Sequence, residues 1–135
     1  NNERSPWNME ESNAAPGFMD EMRYWHKLHE QLHPYLWKTA QDCVRNSKPF
    51  MRPLIYEWPN DINAVNCQDE YLLGDDLLIA PLLEENAISR EVYLPEGVWF
   101  DFFDGTEYTG NQTVTAGKDG KLPVFTRNGF ELKNE

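Results

Sequence analysis

The chain has few cysteines, few basic residues and no long apolar run. Its 135 residues contain 12 Lys and Arg against 23 Asp and Glu, a formal net charge of −11 at pH 7. This acidic surplus repels phosphate backbones and anionic lipids, so we expect neither a nucleic-acid nor a membrane partner. No apolar stretch approaches the roughly 20 residues that span a bilayer. The composition therefore predicts a globular domain of ordinary size.

The two cysteines, Cys43 and Cys67, are too few for a disulfide scaffold or a Cys-rich zinc site. We expect two unlinked, buried thiols. Neither a C-x-x-C pair nor a Gly-rich phosphate loop is present, and no cofactor is predicted. The start, "NNERSPW", lacks an initiator Met and a signal segment, so the sequence is expected to come from the middle of a longer polypeptide. Nothing indicates secretion, which favours the cytoplasm.

Residues 18–46 have the pattern of one long amphipathic helix. Apolar or aromatic side chains recur there at spacings of three and four. We call these positions the helix seam: Phe18, Met22, Trp25, Leu28, Leu32, Leu36, Ala40 and Val44. Pro34 should kink the helix or weaken its hydrogen bonding, and the run 46–49 should end it.

After Pro49 the pattern changes to short β-branched and aromatic runs separated by Pro, Asn, Asp and Gly. Asp104-Gly105 predicts a hairpin with a two-residue turn. The fold class is therefore α+β, with a loop, a long helix and then an antiparallel β-sandwich or barrel. A single helix before a sandwich leaves one helix face without a partner.

The adjacent Asp75 and Asp76 could be a catalytic carboxylate pair or part of a turn. A catalytic pair must converge on one bond, with carboxyl groups about 5 Å apart in one mechanism and further in another. Neighbouring side chains at the start of a strand diverge instead. We therefore predict a turn at Gly74–Asp76, in which a side chain accepts from backbone N–H groups before the buried strand "LLIAPLL".

His26, His29 and His33 share one helix face, and three imidazoles could bind zinc with an open fourth position. A metal site also needs carboxylates around its ligands and a pocket, and Pro34 disturbs the helix at this point. We therefore expect ordinary surface histidines and no metal site here.

The aromatic cluster of Trp99, Phe100, Phe102 and Phe103 has two interpretations. Alternation along a strand favours a core face and a face packed on a neighbour. The alternative is a non-catalytic carbohydrate-binding or interaction module that uses Trp99, Phe102 or Tyr108 as stacking platforms.

Six ordered blocks resemble the end of a family 31 glycoside hydrolase, the α-glucosidase and α-xylosidase family. They are "RSPW" (4–7), "LHPYLW" (32–37), "MRPLIYEWPND" (51–61), "DEYLLGDDLLIAPLL" (69–83), "VYLPEGVWFDFFDG" (92–105) and "LPVFTRNG" (122–129). Three residues depart from the family pattern: His33 replaces a Leu, His29 lies where an Arg is frequent, and Trp58 replaces a Phe. The resemblance covers nearly the whole chain.

The resemblance implies that residues 1–47 are the last loop and long helix of a catalytic (β/α)8 barrel. Residues 48–135 would be the proximal C-terminal β-sandwich, which braces the barrel. The helix would then pack on the remainder of that barrel, which is the expected protein partner.

The resemblance also implies an enzyme, a retaining α-glycosidase and specifically an α-glucosidase, acting on α-linked oligosaccharides with two aspartates. In the family both aspartates precede the first block, so no catalytic residue is assigned here. This chain alone is expected to be inactive. Arg4 and Trp7 match a block at the rim of the active site and are the predicted substrate-binding residues.

Overall fold

The computed structural model describes Ser5, Asn8 and residues 16–117 and 121–132. The chain divides into two compact units. One contains the described residues up to Lys38 together with Leu132, and the other is Thr39–Glu131. Helix α1, Phe18–Asn46, contributes residues to both units.

Helix α1 has the predicted length and is continuous through Pro34. Its first turn carries Asp20 and Glu21 and its last turn carries Arg45, the charge order that favours the helix dipole. Ser47 follows with φ 54°, the left-handed conformation in which many helices end. The predicted helix is therefore confirmed at both ends.

The second unit, Thr39–Glu131, which we call the β-unit, contains eight short strands among its described residues, with a 3-10 turn at Leu54–Tyr56 and the short helix α2 at Ile62–Asn66. The strands are β1 Met51–Pro53, β2 Tyr71–Leu73, β3 Leu77–Ile79, β4 Arg90–Leu94, β5 Val98–Asp101, β6 Glu107–Thr109, β7 Gln112–Ala116 and β8 Val124–Thr126. Six form one antiparallel sheet in the order β1-β2-β3-β8-β5-β6, and β4 pairs with β7. The predicted antiparallel β-region after a long helix is confirmed.

The core of this unit takes side chains from both sheets and from α2. Its largest member is Trp99, which is 0% exposed and donates its indole N–H to the Pro95 carbonyl at 2.8 Å. Burial of one such side chain removes roughly 200 Å² from water, worth about 5 kcal/mol. Trp99 is therefore a central residue of the core to which both sheets contribute.

The hairpin at Asp104-Gly105 is confirmed, but its predicted two-residue turn is wrong. Four residues, 102–105, separate the paired ends of β5 and β6, where the Asp101 N–H donates to the Thr106 carbonyl at 2.9 Å. The Asp101 carboxylate accepts from the N–H groups of residues 103 and 104 at 2.8 and 3.1 Å. These bonds favour the longer loop.

The predicted strand "LLIAPLL" is shorter than expected. Strand β3 ends at Ile79, and Pro81 follows two residues later. Proline cannot donate to a sheet ladder, which excludes it from a central strand. Leu83 consequently lies outside the sheet and is exposed.

Candidate functional site

Asp75 and Asp76 lie in the turn between β2 and β3, as predicted. Asp75 Oδ1 accepts from Arg52 Nη2 at 2.7 Å and from Lys48 Nζ at 3.4 Å. Asp76 Oδ1 accepts from the Asn128 amide at 2.9 Å. The two carboxylates therefore have different side-chain partners and do not form a catalytic pair. Two cations, Arg52 and Lys48, hold the Asp75 carboxylate.

Arg52, in β1, is 1% exposed and contacts this turn at Gly74 and Asp75. Its guanidinium donates to Glu57 Oε1 at 2.6 Å and to the Gly74 carbonyl, and lies 5.7 Å from the centre of the Tyr56 ring. The bond from Arg52, helped by its charge, holds the pKa of the Asp75 carboxyl below its ordinary value.

Arg127 fixes the same turn from β8. Its Nε donates to the Asp75 carbonyl at 2.7 Å, and its backbone N–H donates to the Asp76 carbonyl at 3.0 Å. The guanidinium lies 4.9 and 5.5 Å from the ring centres of Trp58 and Trp99. Cations at this distance from an indole are attracted to the ring. Arg52 and Arg127, which we call the arginine clamp, thus bind the β2–β3 turn from β1 and from the end of β8.

A second polar group joins α2 to β4. Asp61 caps α2 by accepting from the Asn63 and Ala64 N–H groups at 2.9 and 3.4 Å. Its other oxygen accepts from the Tyr93 hydroxyl at 2.6 Å. Desolvation and then this bond raise the pKa of Tyr93. The role of Asp61 is structural.

Cys67, Asp69 and Glu70 form a third group, beside Arg90. Arg90 Nη2 lies 2.5 Å from Asp69 Oδ2 and 3.7 Å from Glu70 Oε1. Burial, opposed in part by the Tyr93 N–H bond, raises the pKa of Glu70 to about 7. Burial and the neighbouring Glu70 raise the pKa of the Cys67 thiol to about 12. Cys43 and Cys67 are free thiols, as predicted, although both are only half-buried.

The three histidines are exposed, and His26 Nε2 lies 3.5 Å from Glu30 Oε1. They do not bring their nitrogen atoms together as metal ligands. Within the described part of the chain, one set of at least three Cys, His or acidic side chains converges closely enough for a metal, and it is Cys67, Asp69 and Glu70.

The proposed aromatic platforms are mostly occupied by packing. Trp99 has no exposed surface, so its interpretation as a sugar platform is wrong. Tyr108 is half-buried and packs edge-on against Phe125, with ring centres 5.7 Å apart. Phe102 is half-buried and packs in the same way on Phe103 at 5.1 Å. The core interpretation of this cluster fits the structure better.

The predicted substrate-binding residues Arg4 and Trp7 lie outside the described residues. The arginine clamp and the group at residues 67–70 were not identified from the sequence. The blocks "MRPL" and "VFTRNG" contain the two clamp residues, but their pairing with one turn depends on strand order. Among the described helices, none is long and apolar enough to cross a membrane.

The helix seam is incompletely covered by the residues that the structure describes. None of its eight residues is buried, and Val44 is 85% exposed. Met22 and Trp25 are also exposed, while the other five are half-buried. The one buried residue of α1 is Thr39, which lies outside the seam.

The sequence matches the model of the Glycosyl hydrolase family 31 C-terminal domain over residues 47–130. The chain belongs to glycoside hydrolase family 31. It is 34% identical over 134 residues to isomaltosyltransferase of Sporosarcina globispora, covering 98% of this chain and 12% of that protein. It is 38% identical over 125 residues to 1,3-alpha-isomaltosidase of Kribbella flavida, covering 93% and 17%.

The fold agrees with this assignment. The solved cycloalternan-degrading enzyme from Trueperella pyogenes, in complex with a covalent intermediate, superposes with a TM-score of 0.85 at 33% identity. The match covers 95% of this chain and 18% of that one. The family 31 chain therefore spans less than a fifth of the length of these relatives. The family and the α+β fold predicted from the sequence are both confirmed.

Proposed function

We propose that this family 31 chain is the end of the catalytic barrel and the bracing β-domain of a retaining α-glycosidase that hydrolyses α-linked glucosides. Residues 1–47 supply the last loop and helix of the barrel, and residues 48–135 supply the proximal β-sandwich. Family membership and the names of two relatives, an isomaltosyltransferase and a 1,3-alpha-isomaltosidase, support the reaction class.

The exposed part of the helix seam is the observation that carries the proposal. Three of its large apolar side chains, at positions 22, 25 and 44, are exposed, whereas soluble domains bury such a stripe. Complete burial of one such side chain contributes about 1.5–3 kcal/mol. Barrel strands packed on the seam would supply this stabilisation, so the remainder of the barrel is the proposed partner.

The β-domain can act as a brace because its framework is rigid. The arginine clamp fixes the β2–β3 turn from both sides, and Trp99 fills the core between the sheets. A closely packed unit has low compressibility, so it deforms little under load and can hold a neighbouring element in place. The brace would hold the final helix of the barrel, and with it the wall of the sugar pocket.

In the proposed enzyme, one aspartate attacks the anomeric carbon of the bound sugar while the second protonates the leaving oxygen. The second then activates water, which releases the sugar with its original configuration. Both aspartates would come from the barrel upstream of residue 1. This chain would contribute Arg4 and Trp7 to the rim of the pocket and no catalytic group.

The experiment compares the purified 135-residue chain with the complete enzyme that contains it, using p-nitrophenyl α-glucoside and α-xyloside. The complete enzyme should release p-nitrophenol from the glucoside and give the α-anomer first by NMR, whereas the chain should release none. Turnover by the chain alone, or a β-anomer from the enzyme, would contradict the proposal.

A matched pair of substitutions in the complete enzyme tests the seam. Met22→Asp should reduce the yield of active enzyme, because a carboxylate would be buried against the barrel. Tyr24→Asp is the control, since Tyr24 is similarly exposed, 52% against 42%, but lies off the seam. Equal losses in the two variants would show that the seam has no barrel contact.

A further inference from the structure

We propose that Cys67, Asp69 and Glu70 bind a thiophilic divalent cation of the Zn²⁺ class. Each residue offers one ligand atom, and the three atoms lie within 4.8 Å of one another. Cys67 Sγ is 3.7 Å from Asp69 Oδ1, close to the spacing of two ligands on one tetrahedral zinc ion. The site occupies the connection between α2 and β2.

Each carboxylate is oriented by a bond to one of its two oxygens, which leaves the other oxygen for the proposed ion. Arg90 Nη2 holds Asp69 Oδ2 at 2.5 Å, and the Tyr93 N–H donates to Glu70 Oε1 at 2.8 Å. Asp69 Oδ1 and Glu70 Oε2 are left as ligand atoms. Partners of this kind around the ligands fix their direction in metal sites.

Glu70 Oε2 is an independent indication of a missing partner. Glu70 is 5% exposed, and this oxygen is buried without a hydrogen-bond partner among the described residues. A buried acceptor in that state is costly, and native structures seldom leave one unexplained. A cation shared with the Cys67 sulfur would satisfy it.

Arg90 is compatible with a bound cation. Its Nη1 is anchored by the Asp69 and Pro81 carbonyls at 3.1 and 2.8 Å, and its Nη2 contacts Asp69 Oδ2 and Glu70 Oε1, which are not the proposed ligand atoms. The thiolate and two carboxylates carry three negative charges, which Arg90 and a divalent cation balance. Metal binding would release the thiol proton to the solvent.

The ligand set also indicates the class of ion. Thiolate selects softer metals such as Zn²⁺, whereas Ca²⁺ and Mg²⁺ take oxygen ligands. Three protein ligands leave a fourth tetrahedral position for water. Cys67 is half-buried and Asp69 is exposed, so an ion can enter from the surface.

The test titrates the metal-free chain with Cd²⁺ under reducing conditions and follows the ultraviolet thiolate–metal charge-transfer band. One equivalent should bind, Zn²⁺ should displace it, and excess Ca²⁺ should not. Cys67→Ser should abolish the band. Glu70→Gln and Asp69→Asn, which keep side-chain size, should each weaken binding by at least about tenfold.

Cys43→Ser is the matched control, because Cys43 is also a free, half-buried thiol. It should leave the Cd²⁺ titration unchanged. A band that survives Cys67→Ser would overturn the proposal. So would unchanged affinity in both carboxylate variants, which would indicate a lone thiol, or displacement by Ca²⁺.

Discussion

Arg52→Met is the most specific test of the β-domain, because it removes the Arg52 charge from the arginine clamp while keeping a long apolar side chain. Arg52 is buried and donates to Glu57, Asp75 and the Gly74 carbonyl. Methionine fills the space of the stem but makes none of these bonds.

The expected loss of stability depends on the charged groups that remain after the substitution. Removing one partner of a buried ion pair costs about 3–5 kcal/mol, because the remaining charge is left uncompensated. Here the carboxylates of Glu57 and Asp75 are 26% and 42% exposed, so water can reach both once the guanidinium is gone. We therefore expect a loss at the low end, about 3 kcal/mol at pH 7.

The loss should depend on pH in a defined direction. The pKa of Asp75 is held below its ordinary value of 3.8 chiefly by the Arg52 bond. A group with a lowered folded-state pKa stabilises the fold above its ordinary pKa, and this stabilisation is lost as the pH falls through the folded-state pKa. Arg52→Met lacks this contribution, so the difference from the native protein should shrink below about pH 4.

The assay is urea unfolding of both proteins at pH 7 and at acid pH, followed by tryptophan fluorescence. Lys48→Met is the control, because Lys48 makes a longer, exposed contact with Asp75 and should contribute only about 0–1 kcal/mol. A loss below about 1 kcal/mol for Arg52→Met, or one that does not change with pH, would refute the clamp.

Two further substitutions test the packing of the β-domain by the same unfolding assay. Gly110→Ala should lower the free energy of unfolding by more than about 3 kcal/mol, since the new Cβ would meet the Pro95 carbonyl oxygen at 2.0 Å. Gly105→Ala is the control, because Gly105 has open space around it and φ 73°, and it should lower the stability by only about 1–2 kcal/mol. Equal losses in the two variants would contradict this prediction. Trp99→Phe should lower the free energy of unfolding by about 1–3 kcal/mol, because it leaves the Pro95 carbonyl without its donor. Trp58→Phe, at a half-buried site, should lower it by less. The reverse order would contradict the assignment of Trp99 to the core.

Much of the fold could be predicted because its signals are local. The spacing of apolar residues in 18–46 and the run 46–49 predict α1, since helical hydrogen bonds join residues four apart. Asp104-Gly105 predicts a hairpin for the same reason. The turn length was wrong because it also depends on the Asp101 carboxylate, which accepts from two N–H groups of the loop.

Local signals could not show which residues meet in the arginine clamp or in the group at residues 67–70. Arg52 and Asp75 are 23 positions apart and meet because β1 pairs with β2, while Arg127 reaches the same turn from β8. Glu70 and the Tyr93 N–H are also 23 positions apart. Spacing along the chain carries no information about such pairs.

The sequence by itself determined the long helix, the antiparallel β-region and the family. It also determined that Asp75 and Asp76 belong to a turn and are not a catalytic pair. These features depend on local periodicity and on the order of short blocks. Only the tertiary structure decided that Trp99 is core and that Cys67, Asp69 and Glu70 converge beside Arg90. Burial and convergence are set by which strands become neighbours, and that depends on the packing of the whole chain at once.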